Sequence, residues 1–337
     1  MSKRKLSKQQ QSRIHENQRR ELHDSDQPAE IRDSADSTEG ARENCNGRVV
    51  SHYGQQLDVE TLEVSGNRIV RCKQRANLPS LVTGDLVVWE QDESGGGVIL
   101  ARGHRSNVFG RHDSRGKLKP VAANIDLVLL VIASEPIPHL SLIDRYLVAI
   151  ENLNLTPLLI LNKVDLLDEN NQGKLDNILS IYEEIGYRPH RVSALTDSGI
   201  ADLEADLQDL TTVLVGQSGV GKSSLLNRLA GGELAAVGEL SEAHQQGIHT
   251  TTTSKLFHLE NFDLIDSPGI REFNLDFVSP VSVFEGFVEF VPYRGLCKFR
   301  DCAHRTEPGC ALIQSVQDGK IRQTRLESYY RILDSEE

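Results

Sequence analysis

The chain has 337 residues, which is enough for two or three domains. Its formal net charge is −12, and this acidic balance argues against indiscriminate binding to nucleic acid. No apolar run reaches the length that would cross a membrane, and no secretory signal peptide opens the chain. We therefore expect a cytoplasmic protein without a membrane partner, in which Cys45 and Cys72 are reduced thiols rather than a disulfide.

Residues 1–45 are predicted to form a disordered tail with a basic tip. Large apolar side chains are almost absent from residues 21–45, so this segment has little to bury. The first twenty residues contain one acidic side chain, Glu16, and seven basic ones: Lys3, Arg4, Lys5, Lys8, Arg13, Arg19 and Arg20. The tip could contact RNA phosphates or could be a solvated tail, and the sequence favours neither.

Residues 46–105 are predicted to form a small β-barrel of the OB type. Short strand-like segments are separated by turns that contain glycine: 47–50, 56–60, 68–72, 85–89 and 97–101. A cluster of basic residues gives this region local positive charge: Arg68, Arg71, Lys73 and Arg75. The barrel could bind RNA through that charge, or it could serve only to pack on the domain that follows.

Residues 106–276 are predicted to form a doubly wound α/β domain. From residue 125 to about residue 275, buried apolar runs alternate with amphipathic segments. The predicted elements include a strand at 127–133 and helices at 143–152, 174–185 and 200–210. This alternation is typical of a parallel sheet covered by helices on both faces.

The first motif of this domain follows the apolar strand 156–161. It consists of Asn162, Lys163, Val164 and Asp165, the N-K-x-D pattern of guanine-binding proteins. The Asp165 carboxylate can accept hydrogen bonds from N1–H and the exocyclic amine of guanine, a pair that adenine does not offer. Ser193 and Ala194 resemble the companion loop, whose backbone N–H reaches the guanine O6. A turn rich in Asn and Asp is the plainer interpretation of N-K-x-D by itself.

A complete phosphate-binding loop, G-x-x-x-x-G-K-[ST], lies between a predicted strand and a predicted helix. Its glycines allow backbone N–H groups to surround phosphate oxygens at a helix N-terminus. Lys222 can reach the β- and γ-phosphates, and Ser223 can bind Mg²⁺. The predicted nucleotide contacts are Gly216, Gln217, Ser218, Gly219, Val220, Gly221, Lys222, Ser223 and Ser224.

Two further segments are candidates for sensing the γ-phosphate. Asp266 and Gly269 fit the D-x-x-G element that follows a short strand, although a Pro-Gly turn gives the same pattern. Ras-like enzymes place a water-orienting glutamine after this glycine, but Ile270 stands here and cannot do so. The nearest upstream candidate is His249, beside four consecutive threonines at 250–253. The threonine that closes on Mg²⁺ is not fixed by the pattern.

Residues 277–337 contain a candidate metal site. Cys297, Cys302, His304 and Cys310 supply three thiolates and one imidazole within fourteen residues, a closed set typical of structural zinc. Buried cysteines beside a surface histidine are the alternative. A final helix is predicted at about 311–333, and its basic residues could face RNA or solvent: Lys320, Arg322, Arg325 and Arg331.

The motifs occur in an unusual order. The guanine-reading motif and its companion loop precede the phosphate loop, the threonine run and D-x-x-G, which amounts to one cyclic shift of the ordinary GTPase order. With Asn162–Asp165, Gly216–Ser223, Asp266–Gly269 and the Cys/His cluster in these positions, the chain resembles the circularly permuted GTPases of the RsgA (YjeQ) family over almost its full length.

That resemblance implies an N-terminal OB-fold, a permuted GTPase core and a C-terminal domain with one structural zinc ion per chain. It implies GTP hydrolysis with Mg²⁺, stimulated by the small ribosomal subunit and its rRNA, at a late step of subunit maturation. It assigns the water-orienting role to His249 and makes Thr251 the magnesium ligand. We expect a monomer. The alternative is an RNA-binding nucleotide switch with negligible turnover.

Overall fold

The computed structural model describes residues 45–53, 56–62, 68–76, 78–93, 95–112, 117–231, 254–266 and 279–334. The predicted tail, His249, Thr251 and Gly269 lie outside these ranges, apart from Cys45 at the end of the tail. The predicted architecture of a small barrel, an α/β domain and a helical C-terminal region is confirmed. In the part of the chain that the structure describes, no helix combines the length and apolar character needed to span a membrane.

The N-terminal strands close into a barrel. Their order around it is β1-β2-β3-β5-β4, and β4 pairs back with β1. The β3–β5 pairing is parallel and the other pairings are antiparallel. Side chains alternate between the interior and solvent along β3, which places Val70 and Cys72 inside and Ile69, Arg71 and Lys73 outside. The strands are β1 (Gly47–Tyr53), β2 (Gln56–Thr61), β3 (Ile69–Gln74), β4 (Leu86–Gln91) and β5 (Gly97–Arg102).

A hairpin that the sequence pattern did not predict connects the barrel to the α/β domain. It consists of β6 (Val108–His112) and β7 (Leu118–Ala123), with an irregular register between Phe109 and Gly110. Gly110 and Pro120 interrupt the alternation of apolar and polar residues in these two strands, so the sequence pattern that would predict them is weak. Phe109 is buried in the core of the α/β domain, so the hairpin belongs to its packing.

The α/β domain is built on a sheet of order β10-β9-β8-β11-β13-β12. All neighbouring strands are parallel except β12, which is antiparallel to β13. The strand β11 therefore lies between β8, which precedes it in the chain, and β13, which follows it, as a cyclic shift requires. The strands are β8 (Leu127–Ala133), β9 (Thr156–Asn162), β10 (His190–Arg191), β11 (Thr211–Val215), β12 (Lys255–His258) and β13 (Asp263–Asp266).

Helices cover both faces of this sheet. One apolar core contains Leu147 of α1 and Leu179 of α2, and the other contains Leu203 of α3 and Leu225 of α4. The predicted helix at 200–210 is too long, since the backbone turns extended at Gln208 before entering β11. The helices are α1 (Leu140–Asn152), α2 (Gln172–Glu184), α3 (Ile200–Leu207) and α4 (Lys222–Leu229).

The C-terminal region packs on α1. It contains α5 (Pro280–Gly286), a 3₁₀ turn (Val291–Tyr293), α6 (Ala311–Gln317) and α7 (Gln323–Asp334). The single helix predicted at about 311–333 is wrong, because the chain breaks between α6 and α7. Gly319 has a φ of 72°, and Lys320 N–H donates to the Ser315 carbonyl at 2.9 Å, which caps α6.

The predicted basic face of this last helix is also wrong at one position. Arg325 is 2% exposed and ion-pairs with Asp144 of α1 and Glu289, so it faces neither RNA nor solvent. Its guanidinium lies 4.4 Å from the Phe287 ring centre. Arg325 therefore fastens the C-terminal region to the α/β domain.

Candidate nucleotide site and metal centre

The loop between β11 and α4 has the backbone of a phosphate cradle. Gly216, Gly219 and Gly221 have φ values of 139°, 84° and 89°, which side chains disfavour. A Cβ on Gly216 would lie 2.2 Å from the Val131 carbonyl oxygen. A Cβ on Gly221 would lie 2.5 Å from the Asn162 amide nitrogen. The two outer glycines are therefore required by close packing against β8 and β9.

Lys222 opens α4 and turns back over this loop. Its Nζ donates to the carbonyl oxygens of Gly216 at 2.7 Å and Gln217 at 2.6 Å. Ser223 and Ser224 follow at the helix N-terminus and are exposed. The first turn of a helix carries backbone N–H groups without intrahelical partners, and these attract anions. The lysine, the hydroxyls and the N–H groups therefore meet at one end of α4.

The N-K-x-D motif contacts the same loop. Asn162 ends β9 and is 1% exposed, and its Nδ2 donates to the Val220 carbonyl at 3.0 Å. Lys163 Nζ donates to the carbonyl oxygens of Gly219 at 2.7 Å and Glu135 at 3.0 Å. The Asn162 side-chain oxygen is buried and has no hydrogen-bond partner within the described chain. The two predicted motifs therefore form one site.

Asp165 and the companion loop are joined by a hydroxyl. Ser193 Oγ donates to Asp165 Oδ1 at 2.5 Å and accepts the N–H groups of Leu195 and Thr196 at 3.2 and 3.1 Å. Sequence reasoning expected only a backbone role for this loop. The serine also orients the carboxylate, which is exposed and so can meet a ligand.

Two residues of the site were missed by the sequence analysis. Ser134 Oγ donates to the Lys163 carbonyl at 2.5 Å, and the Glu135 carbonyl accepts from Lys163 Nζ. Both lie in the connection between β8 and α1, where no motif marks them. A position directly after a buried strand on the ligand-binding edge is the only signal that could have found them.

The sheet brings these loops to one edge. Since β9, β11 and β13 are parallel, their carboxyl ends share that edge, where α/β domains bind ligands. Asp266 ends β13, adjacent to the strand that carries the glycine loop. Asn162 and Asp266, which end β9 and β13, and Gly216, which directly follows β11, thus lie at the same edge of the sheet.

The four predicted metal ligands also converge. The ligand atoms of Cys297, Cys302, His304 and Cys310 all lie within 4.8 Å of one another. The Cys297 and Cys310 sulfurs are 3.9 Å apart, and His304 Nδ1 is 3.5 and 3.4 Å from them. Tetrahedral zinc has S–S edges of about 3.8 Å and S–N edges of about 3.6 Å, given its usual bond lengths. The cluster therefore fits a tetrahedral metal ion.

Residues that are not metal ligands support the loop that carries the cluster. The Glu307 carboxylate accepts N–H groups from Ala303 at 2.9 Å, Arg305 at 2.8 Å and Thr306 at 3.0 Å. A hydrogen bond from the backbone N–H of Glu307 itself, together with those from Ala303, Thr306 and Arg305, lowers the pKa of this carboxyl to about 2. The His304 ring stacks on Phe284 with centres 5.2 Å apart. Glu307 thus shapes the turn that carries two of the ligands.

Comparison with known proteins agrees with this geometry. The model of the RsgA GTPase family matches residues 102–276. The chain is 48% identical to the small ribosomal subunit biogenesis GTPase RsgA of Marinobacter nauticus, over 99% of this chain and 96% of that protein. It is 51% identical to the protein of the same name from Pseudomonas savastanoi, over 86% and 85% of the two chains.

Solved structures agree with the sequence relatives. The crystal structure of YjeQ from Thermotoga maritima has a TM-score of 0.71 and 31% identity, covering 86% of this chain and 97% of that one. The circularly permuted GTPase YloQ has a TM-score of 0.69 and 25% identity, over 86% and 94% of the two chains. The chain therefore belongs to the RsgA GTPase family.

Proposed function

We propose that this protein binds and hydrolyses GTP and acts in the biogenesis of the small ribosomal subunit. The observation that carries the nucleotide site is the pair of hydrogen bonds from Asn162 and Lys163 to the glycine loop. The ribosomal role is supported by the names of relatives that share about half of their residues with this chain over almost its whole length.

In the proposed complex the base lies at the N-K-x-D end of the site. Asp165 accepts hydrogen bonds from N1–H and the amine of guanine. The Ser193 hydroxyl donates a hydrogen bond to Asp165 Oδ1 and so orients the carboxylate. The Lys163 stem covers one face of the ring, and the Ala194 loop offers N–H to the guanine O6. This assignment gives a physical reason for selecting guanine over adenine.

The phosphates lie over the glycine loop. Backbone N–H groups of residues 216–224 and the Lys222 ammonium neutralise them. Mg²⁺ would be held by the Ser223 hydroxyl and, from the resemblance, by Thr251, with Asp266 reaching it through water. When bound, Mg²⁺ neutralises the charge that develops on the phosphate oxygens.

Hydrolysis requires a group that orients the attacking water. We assign this role to His249, since Ile270 is aliphatic and the family resemblance points to the same histidine. Gly269 is proposed to sense the γ-phosphate.

We propose the organisation 1–45, 46–105, 106–276 and 277–337: a basic-tipped tail, an OB-fold, a permuted GTPase domain and a zinc-binding domain. Arg71 and Lys73 on the outward side of β3, and Arg68 just before the strand, are exposed and support an rRNA-facing role for the barrel. We further propose a cytoplasmic monomer with GTP, GDP and the small subunit as partners.

We propose that the metal is one structural zinc ion per chain. Three cysteines and one histidine complete a tetrahedron, so no position is left for a substrate. The Ala311 N–H donates to Cys297 Sγ at 3.4 Å, an interaction that suits a thiolate. The metal would therefore hold the C-terminal loop rather than take part in hydrolysis.

The test is GTP turnover by the purified protein alone, with small ribosomal subunits, and with large subunits as a control. We expect slow turnover alone and a large acceleration by small subunits only. Negligible turnover in all three conditions would favour the nucleotide-switch alternative. Equal acceleration by both subunits would contradict a specific role in small-subunit biogenesis.

A further inference from the structure

The barrel and the α/β domain share one continuous sheet along β1. Ser51 of β1 pairs with Lys255 of β12, so β12 is covered by the barrel rather than left as a free edge. Beside this pairing, Thr83 Oγ1 donates to the Ser254 carbonyl at 3.1 Å. Thr83 and Ser254 are both buried. In the sequence, Ser254 follows directly on the threonine run at 250–253.

Charged side chains join the same seam to two more strands. Arg48 of β1 ion-pairs with Asp263, the first residue of β13, and its Nη2 donates to Thr211 Oγ1 of β11 at 2.7 Å. The Arg48 side chain is only 14% exposed. His258 of β12 lies 2.6 Å from Asp263 Oδ1 and 3.0 Å from Glu60 Oε1 of the barrel. We call Arg48, Thr83, Ser254, His258 and Asp263 the barrel seam.

Each strand that the barrel seam holds is connected to the candidate nucleotide site. The strand β11 leads into Gly216, β13 ends at Asp266, and β12 begins after Ser254. Packed sheets deform little, so a displacement of β1 is passed to these three strands rather than absorbed. The C-terminal region is instead joined by ion pairs to two helices, through Arg325 to Asp144 of α1 and through Arg322 to Glu184 of α2.

We propose that the barrel seam couples what the barrel binds to which nucleotide is bound, with Arg48 and Thr83 as positioning residues. The proposal rests on the proposed function, because it takes the small subunit as the barrel's partner. Coupling between two binding sites is reciprocal. If the bound nucleotide changes the affinity of the protein for the subunit by some factor, the subunit changes the affinity for that nucleotide by the same factor. Loss of the seam should therefore reduce that mutual effect while leaving each site able to bind.

The test compares the affinity of small subunits for the full chain loaded with GDP and with a non-hydrolysable GTP analogue. The ratio of these two affinities measures the coupling, which is typically about 5–150-fold. In Arg48→Met and Thr83→Val we expect the ratio to fall toward one, by about fivefold or more. Nucleotide affinity without subunits should change by less than about threefold.

Arg71→Met is the matched control. Arg71 is an exposed barrel arginine that pairs with Asp58 and lies over the Tyr53 ring, both of which belong to the barrel. Its loss should weaken subunit binding in both nucleotide states alike and preserve the ratio. If Arg48 has a purely structural role, Arg48→Met will also weaken subunit binding alike in both nucleotide states and preserve the ratio. That result would overturn the proposal.

Two outcomes separate this inference from the function on which it rests. A nucleotide-dependent ratio in the wild type that persists in both seam variants refutes the inference alone. A wild type that shows neither a nucleotide-dependent ratio nor stimulated turnover refutes the proposed function as well. If Arg48→Met fails to fold, Thr83→Val decides, because it removes one hydroxyl and keeps the side-chain shape.

Discussion

Asn162 Nδ2 donates a hydrogen bond to the carbonyl oxygen of Val220, 58 residues further along the chain. This contact joins the end of β9 to the glycine loop after β11. Because the asparagine is buried, its geometry is fixed before any nucleotide binds. The base-reading and phosphate-binding parts of the candidate site are therefore pre-organised with respect to each other.

Base selection can be tested at Asp165. Asp165→Asn should weaken GTP binding by about 2–4 kcal/mol and improve xanthosine triphosphate binding, because xanthine presents a carbonyl where guanine has its amine. Equilibrium binding measurements with GTP and with xanthosine triphosphate give the change in affinity for each nucleotide. Ser193→Ala is the companion variant, and it should weaken GTP by about 1 kcal/mol without favouring xanthine. Unchanged GTP affinity in Asp165→Asn contradicts the assignment.

Water orientation can be tested at His249. His249→Ala should keep GTP affinity within a few-fold and reduce subunit-stimulated turnover by about 10²–10⁴-fold, the usual effect of losing a positioned base. The variant should also remain on small subunits with GTP bound. Lys222→Ala is the contrasting variant and should lose affinity as well as turnover. Single-turnover hydrolysis with saturating small subunits measures the rate, and co-sedimentation measures how much of the variant remains on the subunits. A wild-type rate in His249→Ala would place the water-orienting group elsewhere.

Elemental analysis of freshly purified protein should find one zinc per chain. Cys302→Ala should lose the metal and loosen the C-terminal region while GTP binding is retained. Glu307→Ala should lower zinc affinity measured by chelator competition, by about 10–100-fold, because the turn that carries the ligands loses its hydrogen bonds. Protein that contains no zinc, or a metal-free variant that cannot bind GTP, contradicts a structural site.

The buried arginine makes a stability prediction. Burial raises the pKa of Asp144, and the Arg325 charge opposes that effect. Arg325→Met leaves Asp144 and Glu289 without their cation and should cost about 3–5 kcal/mol of unfolding free energy. Arg322→Met removes an exposed pair with Glu184 and should cost less than about 1 kcal/mol. Denaturant titration compares the two, and equal losses would contradict a buried ion-pair role.

The barrel seam should respond to pH through His258. Its hydrogen bond with Asp263 raises the pKa of this imidazole, with further support from the Glu60 charge and opposition from burial and the Arg48 charge. Because the pKa of His258 is higher in the folded protein than in the unfolded chain, its protonation stabilises the fold. This stabilisation is complete below the unfolded pKa of about 6.5 and is lost as the pH rises through the folded pKa. Unfolding free energy measured from pH 5.5 to 9 should therefore decline more steeply in the wild type than in His258→Asn. Parallel profiles would rule out this titration.

The sequence predicted the elements whose pattern is local. Strands β8 and β9 are continuous apolar runs, and the glycine loop is defined by spacing alone. The missed features depend on partners distant in the chain. The charge of Arg325 suggests a surface position until Asp144 and Glu289 are brought beside it by packing, and Glu307 becomes informative only when the turn around it is formed.

The break after α6 shows a limit of a different kind. Residues 311–333 have helix-forming composition almost throughout, and one glycine inside such a segment is often tolerated. Here Gly319 takes a positive φ because the two shorter helices bury Leu312, Leu326 and Tyr329 against α5 and α1 better than one straight helix could. Tertiary packing therefore overrides local preference.

The position of β11 has a consequence for how the molecule forms during synthesis. The barrel strands and β8–β10 leave the translating ribosome first, yet β8 lacks its β11 neighbour, and the part of β1 at Ser51 lacks its β12 neighbour, until residues 211–266 are made. That late segment fills the gap between the two halves and carries the glycine loop with it. The nascent chain consequently acquires both halves of its framework before it can hold a nucleotide, and the last strands to be inserted create the pocket.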